Sequence, residues 1–196
     1  MRIGNLYFSS GFLLLLSWLL YRDHSGILWL GILSCVLHEI GHIVSLLSFD
    51  SAIKEINITL FGAKIKFENR LSYTEEILAA AAGPFANLMA SVISSRLLLC
   101  PSLAGLNLAL ALFNLLPVGP LDGARIFYSL IAQLTDENRA YQLNRYATIS
   151  FTVFFVVFGT AIALYRGNLT LLLMCIWLLL GAPQEIPANF DQKEWK

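Results

Sequence analysis

Long apolar runs alternate with short polar stretches along almost the whole chain, the pattern of a protein that crosses a membrane several times. Six runs are candidate spans: Leu6–Tyr21, Ile27–Phe49, Ile77–Leu99, Leu103–Leu116, Ala147–Tyr165 and Leu169–Ala182. A helix needs about 20 residues to cross the hydrocarbon core, with about 17 a practical minimum. The first, fourth and sixth runs fall short. Each must extend into its flanks, tilt, or be sheltered by neighbouring helices, because irregular backbone at membrane depth needs protein or water to satisfy it. The fourth run ends in Pro117-Val-Gly-Pro120, which predicts a helix break beside a cavity. The first run lacks a basic flank beyond Arg2 and a small-x-small cleavage site, so it reads as a retained span rather than a signal peptide.

One polar stretch has a different period. Ile53 to Phe67 alternates in two blocks, Ile56, Ile58 and Leu60, then Ala63, Ile65 and Phe67, on either side of Phe61-Gly62. Period-two alternation flanking a glycine predicts a β-hairpin. The expected fold is therefore an all-α membrane protein of about six transmembrane helices, with a small membrane-associated β-hairpin between spans two and three. Residues 1–182 form the membrane domain, and residues 183–196 a short, polar, poorly ordered cytoplasmic tail.

Composition agrees with that picture. The 196 residues are 57% hydrophobic and 13% charged, against about a quarter charged in soluble domains. Too little polar surface exists to cover a water-facing globule. Net charge is zero, which removes the basic field of a nucleic-acid binder. Cys35, Cys100 and Cys175 are widely spaced and form neither a CxxC pair nor a disulfide framework. With six spans and a cytoplasmic amino terminus, the inner segments hold Arg2, Lys54, Lys64, Lys66, Arg70, Arg125, Arg139, Arg145, Lys193 and Lys196. The outer ones hold Arg22, Arg96 and Arg166, a bias of ten to three. By the positive-inside rule both termini are cytoplasmic.

Between Ile27 and Ser48 the only acidic or basic side chains are His38, Glu39 and His42. Such groups in a membrane helix are a functional hypothesis by default. On a helix, residues four apart lie about 40° apart around the axis and about 6 Å along it. Two imidazoles so placed can share one Zn²⁺ at about 2.0–2.1 Å each. A glutamate beside the first can take a proton from zinc-bound water, which is the logic of the HExxH motif. The bland alternative is polar helix packing or a chance match. Two of only three histidines in the chain fall in this motif, which weighs against it.

HExxH supplies two ligands, whereas a catalytic zinc usually takes three from the protein. Asp122 is the best remaining donor near the membrane. Read alone, its Asp-Gly sequence is more simply a turn or helix cap. Spans two and four both run outside to inside, however, and deliver His42 and Asp122 to the same side. Asn114 could donate to a substrate backbone or oxyanion, or pack between helices. Cys35 reads as a packing residue, and His24 as a solvated loop residue.

The pairing of His38-Glu-Ile-Gly-His42 with Asn114-Leu-Leu-Pro117 and Leu121-Asp122-Gly123 resembles the site-2 protease family of intramembrane zinc metalloproteases. The similar subgroup is the six-span type that includes the sporulation protease processing a membrane-tethered pro-sigma factor. No PDZ domain separates the motifs, and no CBS domain is expected after the last span. The glycine-centred hairpin and Gly83-Pro84…Asn87 belong to the resemblance, which runs from the second span through the sixth. Gly83, Pro84 and Asn87 are taken as architectural.

The resemblance implies His38, His42 and Asp122 as zinc ligands, Glu39 as catalytic base, and the hairpin edge as a clamp for an extended substrate by strand addition. It implies one Zn²⁺ per chain, a membrane-embedded or membrane-tethered protein substrate, and a prokaryotic cell membrane with the active site opening to the cytoplasm. Whether the chain pairs with itself or with a regulatory membrane partner is left open. Three rival readings are weaker. An ion carrier needs a file of further polar ligands, which the chain lacks. A dead scaffold is at odds with an intact Glu39, and a soluble-headed protease needs a cytosolic domain.

Overall fold

The computed structural model describes residues 2–3, 6–8, 23, 26–49, 53–59, 62–67, 71–97, 100–119, 121–166 and 194–195. They divide into two compact units, Met1–Asn114 with Gln192–Lys196, and Leu115–Asp191.

The first unit opens with strands β1 (Arg2–Ile3) and β2 (Leu6–Phe8), followed by helix α1 (Ile27–Leu47). Asp23 starts α1 by accepting from the backbone N–H groups of Gly26 and Leu28, two of the orphan donors of a first helical turn. Gly26 holds φ +74° there, a left-handed turn that glycine adopts without a Cβ penalty. Along α1 the buried residues are Ser34, His38, His42 and Leu46, four apart on one stripe. Trp29, Val36, Ile40, Val44 and Leu47 are exposed. Polar groups inside and large apolar ones outside is the arrangement of a helix whose outer solvent is lipid.

Strands β3 (Ile53–Thr59) and β4 (Gly62–Phe67) follow and pair antiparallel. They are the inner strands of a five-stranded sheet ordered β1-β2-β3-β4-β5, in which β5 is Glu194–Trp195. β2 runs parallel to β3, Leu6 opposite Ile56, and β5 runs antiparallel to β4, Ile65 opposite Trp195. Three expectations meet this sheet. The first candidate span begins in a strand at Leu6–Phe8. Within the 183–196 tail, Glu194–Trp195 forms a strand, and the rest of the tail lies outside the described residues. Both hairpin strands are inner in the sheet order, yet their outer neighbours are short, covering only Ile56–Ile58 of β3 and Ile65–Lys66 of β4.

Helix α2 (Tyr73–Arg96) begins with a capping box: Ser72 accepts from the Glu75 N–H, and the Glu75 carboxylate accepts from the Ser72 N–H. Its buried stripe is Glu76, Ala79, Ala80, Gly83, Pro84, Asn87 and Ser94. The small residues let α1 and α2 approach closely: a Cβ added at Gly41 of α1 would lie 2.6 Å from the Ala82 carbonyl oxygen. Helix α3 (Pro101–Asn114) starts on proline, whose missing N–H is not needed at a first helical position. Its 14 residues span about 21 Å, short of an approximately 30 Å hydrocarbon core.

The second unit contains α4 (Asp122–Leu134) and α5 (Glu137–Arg166). Gly119 donates its backbone N–H to Thr148 Oγ1, tying the backbone just after Pro117 to α5. Asp136 caps α5 through the Arg139 N–H, so α5 begins ten residues before the expected fifth span. Among the described residues three helices are long and apolar enough to cross a membrane, within Ile27–Leu47, Tyr73–Arg96 and Glu137–Tyr165, with Pro101–Asn114 a shorter apolar helix. Candidates two, three and five fall on these three helices and the fourth on the shorter one, while residues 9–21 of the first candidate and all of the sixth, Leu169–Ala182, lie outside the described residues.

Candidate metal centre

The HExxH spacing does on α1 what helical geometry demands. His38 and His42 project from the same buried stripe, and their Nε2 atoms lie 3.1 Å apart. Their other ring nitrogens are committed. His38 Nδ1 donates to Asn87 Oδ1 at 2.6 Å, and His42 Nδ1 donates to the Ala79 carbonyl at 2.8 Å. A carbonyl oxygen can only accept, which makes His42 Nδ1 a donor. The Asn87 orientation is equally determined, because its Nδ2 donates to the Ser34 carbonyl and to Asn107 Oδ1. Its Oδ1 must therefore face His38.

The two Nε2 atoms consequently present lone pairs towards each other. A shared cation, a proton or a metal ion, would satisfy both acceptors at this distance. Two Zn–N bonds of about 2.0–2.1 Å meeting at a tetrahedral angle place their nitrogens about 3.3 Å apart. The observed 3.1 Å needs only a slightly narrower angle. Ligand histidines whose second nitrogen donates to a carbonyl are the usual support of a zinc site. The imidazole pair thus fits the metal in spacing, tautomer and burial.

Gly83 forms the wall of this pocket. A Cβ added there would overlap His42 Nε2 and lie 2.9 Å from His38 Cε1. Glu39, next to His38, is half-buried. In the second unit, Asp122 is the first residue of α4, buried, and preceded by Leu121 as N-cap. It is not the cap that the simpler reading supposed. Gly123 lets α4 start against the Leu115 and Leu116 carbonyls, where a Cβ would clash with both. The donor set His, His and Asp, each buried in its own unit, has the chemistry of a catalytic zinc site. Asn114 ends α3 half-buried, with Nδ2 donating to the Leu110 carbonyl, so one of its amide hydrogens is already committed.

Asn87 is the residue that sequence reasoning undervalued. Taken there as architectural, it contacts a histidine of the motif directly. Its signal was present: an amide within the apolar stretch Ile77–Ala90, four residues after Gly83, is a polar group that needs partners. Asn107, buried in α3, carries the same signal and was passed over.

The model of Peptidase family M50 matches residues 97–159, the part holding Asn114 and Asp122. A Methanocaldococcus jannaschii zinc metalloprotease is 26% identical over 163 residues, 78% of this chain and 47% of that protein. Stage IV sporulation protein FB of Bacillus subtilis is 26% identical over 142 residues, 67% of this chain and 49% of that protein. The chain resembles the site-2 proteases. A Synechocystis protein carrying the zinc metalloprotease name is 34% identical over 114 residues, 52% of this chain and 30% of that protein. The chain thus spans between about a third and a half of the length of these relatives. The solved site-2 protease from M. jannaschii shares the fold, with TM-score 0.71, 22% identity and coverage of 95% of this chain and 94% of that one.

Proposed function

We propose that this chain is a zinc metalloendopeptidase of the site-2 type, hydrolysing peptide bonds of membrane-embedded or membrane-tethered proteins in or near the bilayer. The observation that carries the reading is the buried imidazole pair, with both Nδ1 atoms donating and both Nε2 atoms converging at 3.1 Å. His38, His42 and Asp122 would hold the ion, leaving one position open for chemistry. Zinc bound there would polarise the scissile carbonyl and acidify water at its open position.

Glu39 is the base. It follows His38 directly on α1, accepts the proton of the attacking water, and returns it to the departing amine. A helical substrate must unwind locally, because its carbonyls are otherwise engaged in helix hydrogen bonds. Asn114 binds the unwound backbone through the part of its amide that Leu110 does not use. Lipid surrounds the exposed apolar faces of α1, α2 and α5, and water reaches the site from the cytoplasmic side.

The cytoplasmic assignment of both termini draws support from the sheet. Residues 2–3, 6–8, 53–59, 62–67 and 194–195 share it, which supports placing them on one side of the membrane, the side that the ten-to-three charge bias marks as inner. The test is to purify the chain in detergent, measure its zinc by mass spectrometry, and follow cleavage of membrane-spanning peptides by the wild type and Glu39→Gln. A zinc-free wild type, or cleavage by Glu39→Gln at the wild-type rate, overturns the proposal.

A further inference from the structure

We infer that Asn87 is a positioning residue for the metal centre, fixing His38 in the tautomer with hydrogen on Nδ1 and thereby setting the affinity for zinc. The inference rests on the zinc reading for its second half only; the tautomer stands on hydrogen-bond geometry.

Asn87 is pinned on three sides and fully buried. One face donates to the Ser34 carbonyl of α1 at 3.0 Å and to Asn107 Oδ1 of α3 at 2.7 Å. Asn107 is itself oriented, because its Nδ2 donates to the Leu103 carbonyl at 2.9 Å. Turning the Asn87 amide over would set its oxygen against two other oxygens and its NH₂ against the His38 N–H. Three helices therefore agree on one orientation, in which an oxygen is held 2.6 Å from His38 Nδ1. An imidazole with its hydrogen on Nδ1 has its lone pair on Nε2, where a metal must bind.

The two histidines differ in how they are held. His42 leans on a backbone carbonyl, that of Ala79, which no substitution removes. His38 leans on a side chain. The Nδ1 partner of His38 is thus a replaceable residue, whereas that of His42 is backbone. Loss of such an outer partner weakens metal binding by roughly 10–100-fold in other zinc sites.

The test uses the full chain in detergent with ¹⁵N-labelled histidine. Three histidines, His24, His38 and His42, keep the spectrum assignable. Metal-free wild type should show His38 with hydrogen on Nδ1. Asn87→Leu, close in volume but without an acceptor, should shift His38 towards the other tautomer and weaken zinc binding roughly 10–100-fold in chelator competition. Asn87→Asp keeps an acceptor for His38 and should keep the Nδ1–H tautomer, while its second oxygen, set against the Ser34 carbonyl and Asn107 Oδ1, lowers the unfolding temperature. Ser91→Ala removes a different α2–α3 bond, to the Ala104 carbonyl, and should change neither tautomer nor zinc affinity. A cobalt-substituted sample should show an altered ligand-field spectrum in Asn87→Leu alone.

His38 with hydrogen on Nε2 in the metal-free wild type overturns the inference, whether or not any variant folds. So does a folded Asn87→Leu with wild-type tautomer and affinity. A wild type that binds no zinc yet shows the stated tautomer, lost in Asn87→Leu, supports the positioning of the ring and sinks the metallopeptidase reading instead.

Discussion

Gly83 of α2 lies against the His42 ring so closely that a single added carbon would occupy the space of Nε2. The contact is backbone against imidazole, with no flexible side chain to yield. Gly83→Ala should therefore separate α1 from α2 or rotate the ring, and either displaces the metal. Overpacking of this kind costs roughly 1–3 kcal/mol. The expected outcome is a lower unfolding temperature in detergent together with loss of bound zinc, read by mass spectrometry. A stable, zinc-replete Gly83→Ala protein would show that the pocket wall is softer than described.

Glu39→Gln should separate binding from chemistry. The change keeps the shape of a half-buried side chain and touches neither His38 nor His42. Zinc stoichiometry should stay at the wild-type level, while turnover of a membrane-spanning peptide falls by about 10²–10⁴-fold, the usual contribution of a general base.

Asp122→Ala should lose much of its zinc and nearly all activity, because two imidazoles without a third ligand make a weak site. Asp122→Glu should retain metal in part but position it badly. Asp136→Ala is the control: Asp136 is an exposed cap of α5, bonded to the Arg139 N–H and paired with its guanidinium. It should change zinc content little. Wild-type zinc affinity in Asp122→Ala would place the third ligand elsewhere.

The loop between α1 and α2 should be reachable from the cytoplasm alone. Ser72 is unsuitable for a labelling cysteine, since its hydroxyl caps α2 and its loss costs about 1 kcal/mol. Ser51→Cys avoids the cap. Modification of that cysteine in intact cells by a reagent that cannot cross membranes would reverse the topology.

What the sequence made legible was local. His38, Glu39 and His42 stood out because the apolar run around them has no other acidic or basic group, and helical spacing alone brings the two imidazoles together. The alternation from Ile53 to Phe67 falls on paired strands for the same reason, since period two is written in neighbouring residues. Partners far apart in the chain were not legible. His38 meets Asn87 49 positions away, and His42 meets Ala79 37 positions away. Hydropathy also assigned Leu6–Phe8 to a span, because leucine, tyrosine and phenylalanine suit a strand as well as a membrane helix. Only pairing with Ile56–Ile58 decides between them. Glu194–Trp195 is too short to carry any period, and the polar first turns of α5 hid a helix start that the Asp136 cap reveals.

The amides behind His38 also define what a transplant of this centre would have to carry. From His38 to Asn87, from Asn87 to Asn107 and from Asn107 to the Leu103 carbonyl, every hydrogen points the same way. Inverting any one link sets like against like at its neighbours, so the series has a single reading direction. Grafting two histidines four residues apart onto another helical bundle would reproduce the spacing and leave the rings free to choose a tautomer. A portable version needs a second helix offering a glycine and, four residues on, an asparagine, and a third helix offering the asparagine that orients it. The smallest unit that fixes the two imidazoles in one tautomer is thus three helices deep before any third ligand is added, although only one of them carries the motif.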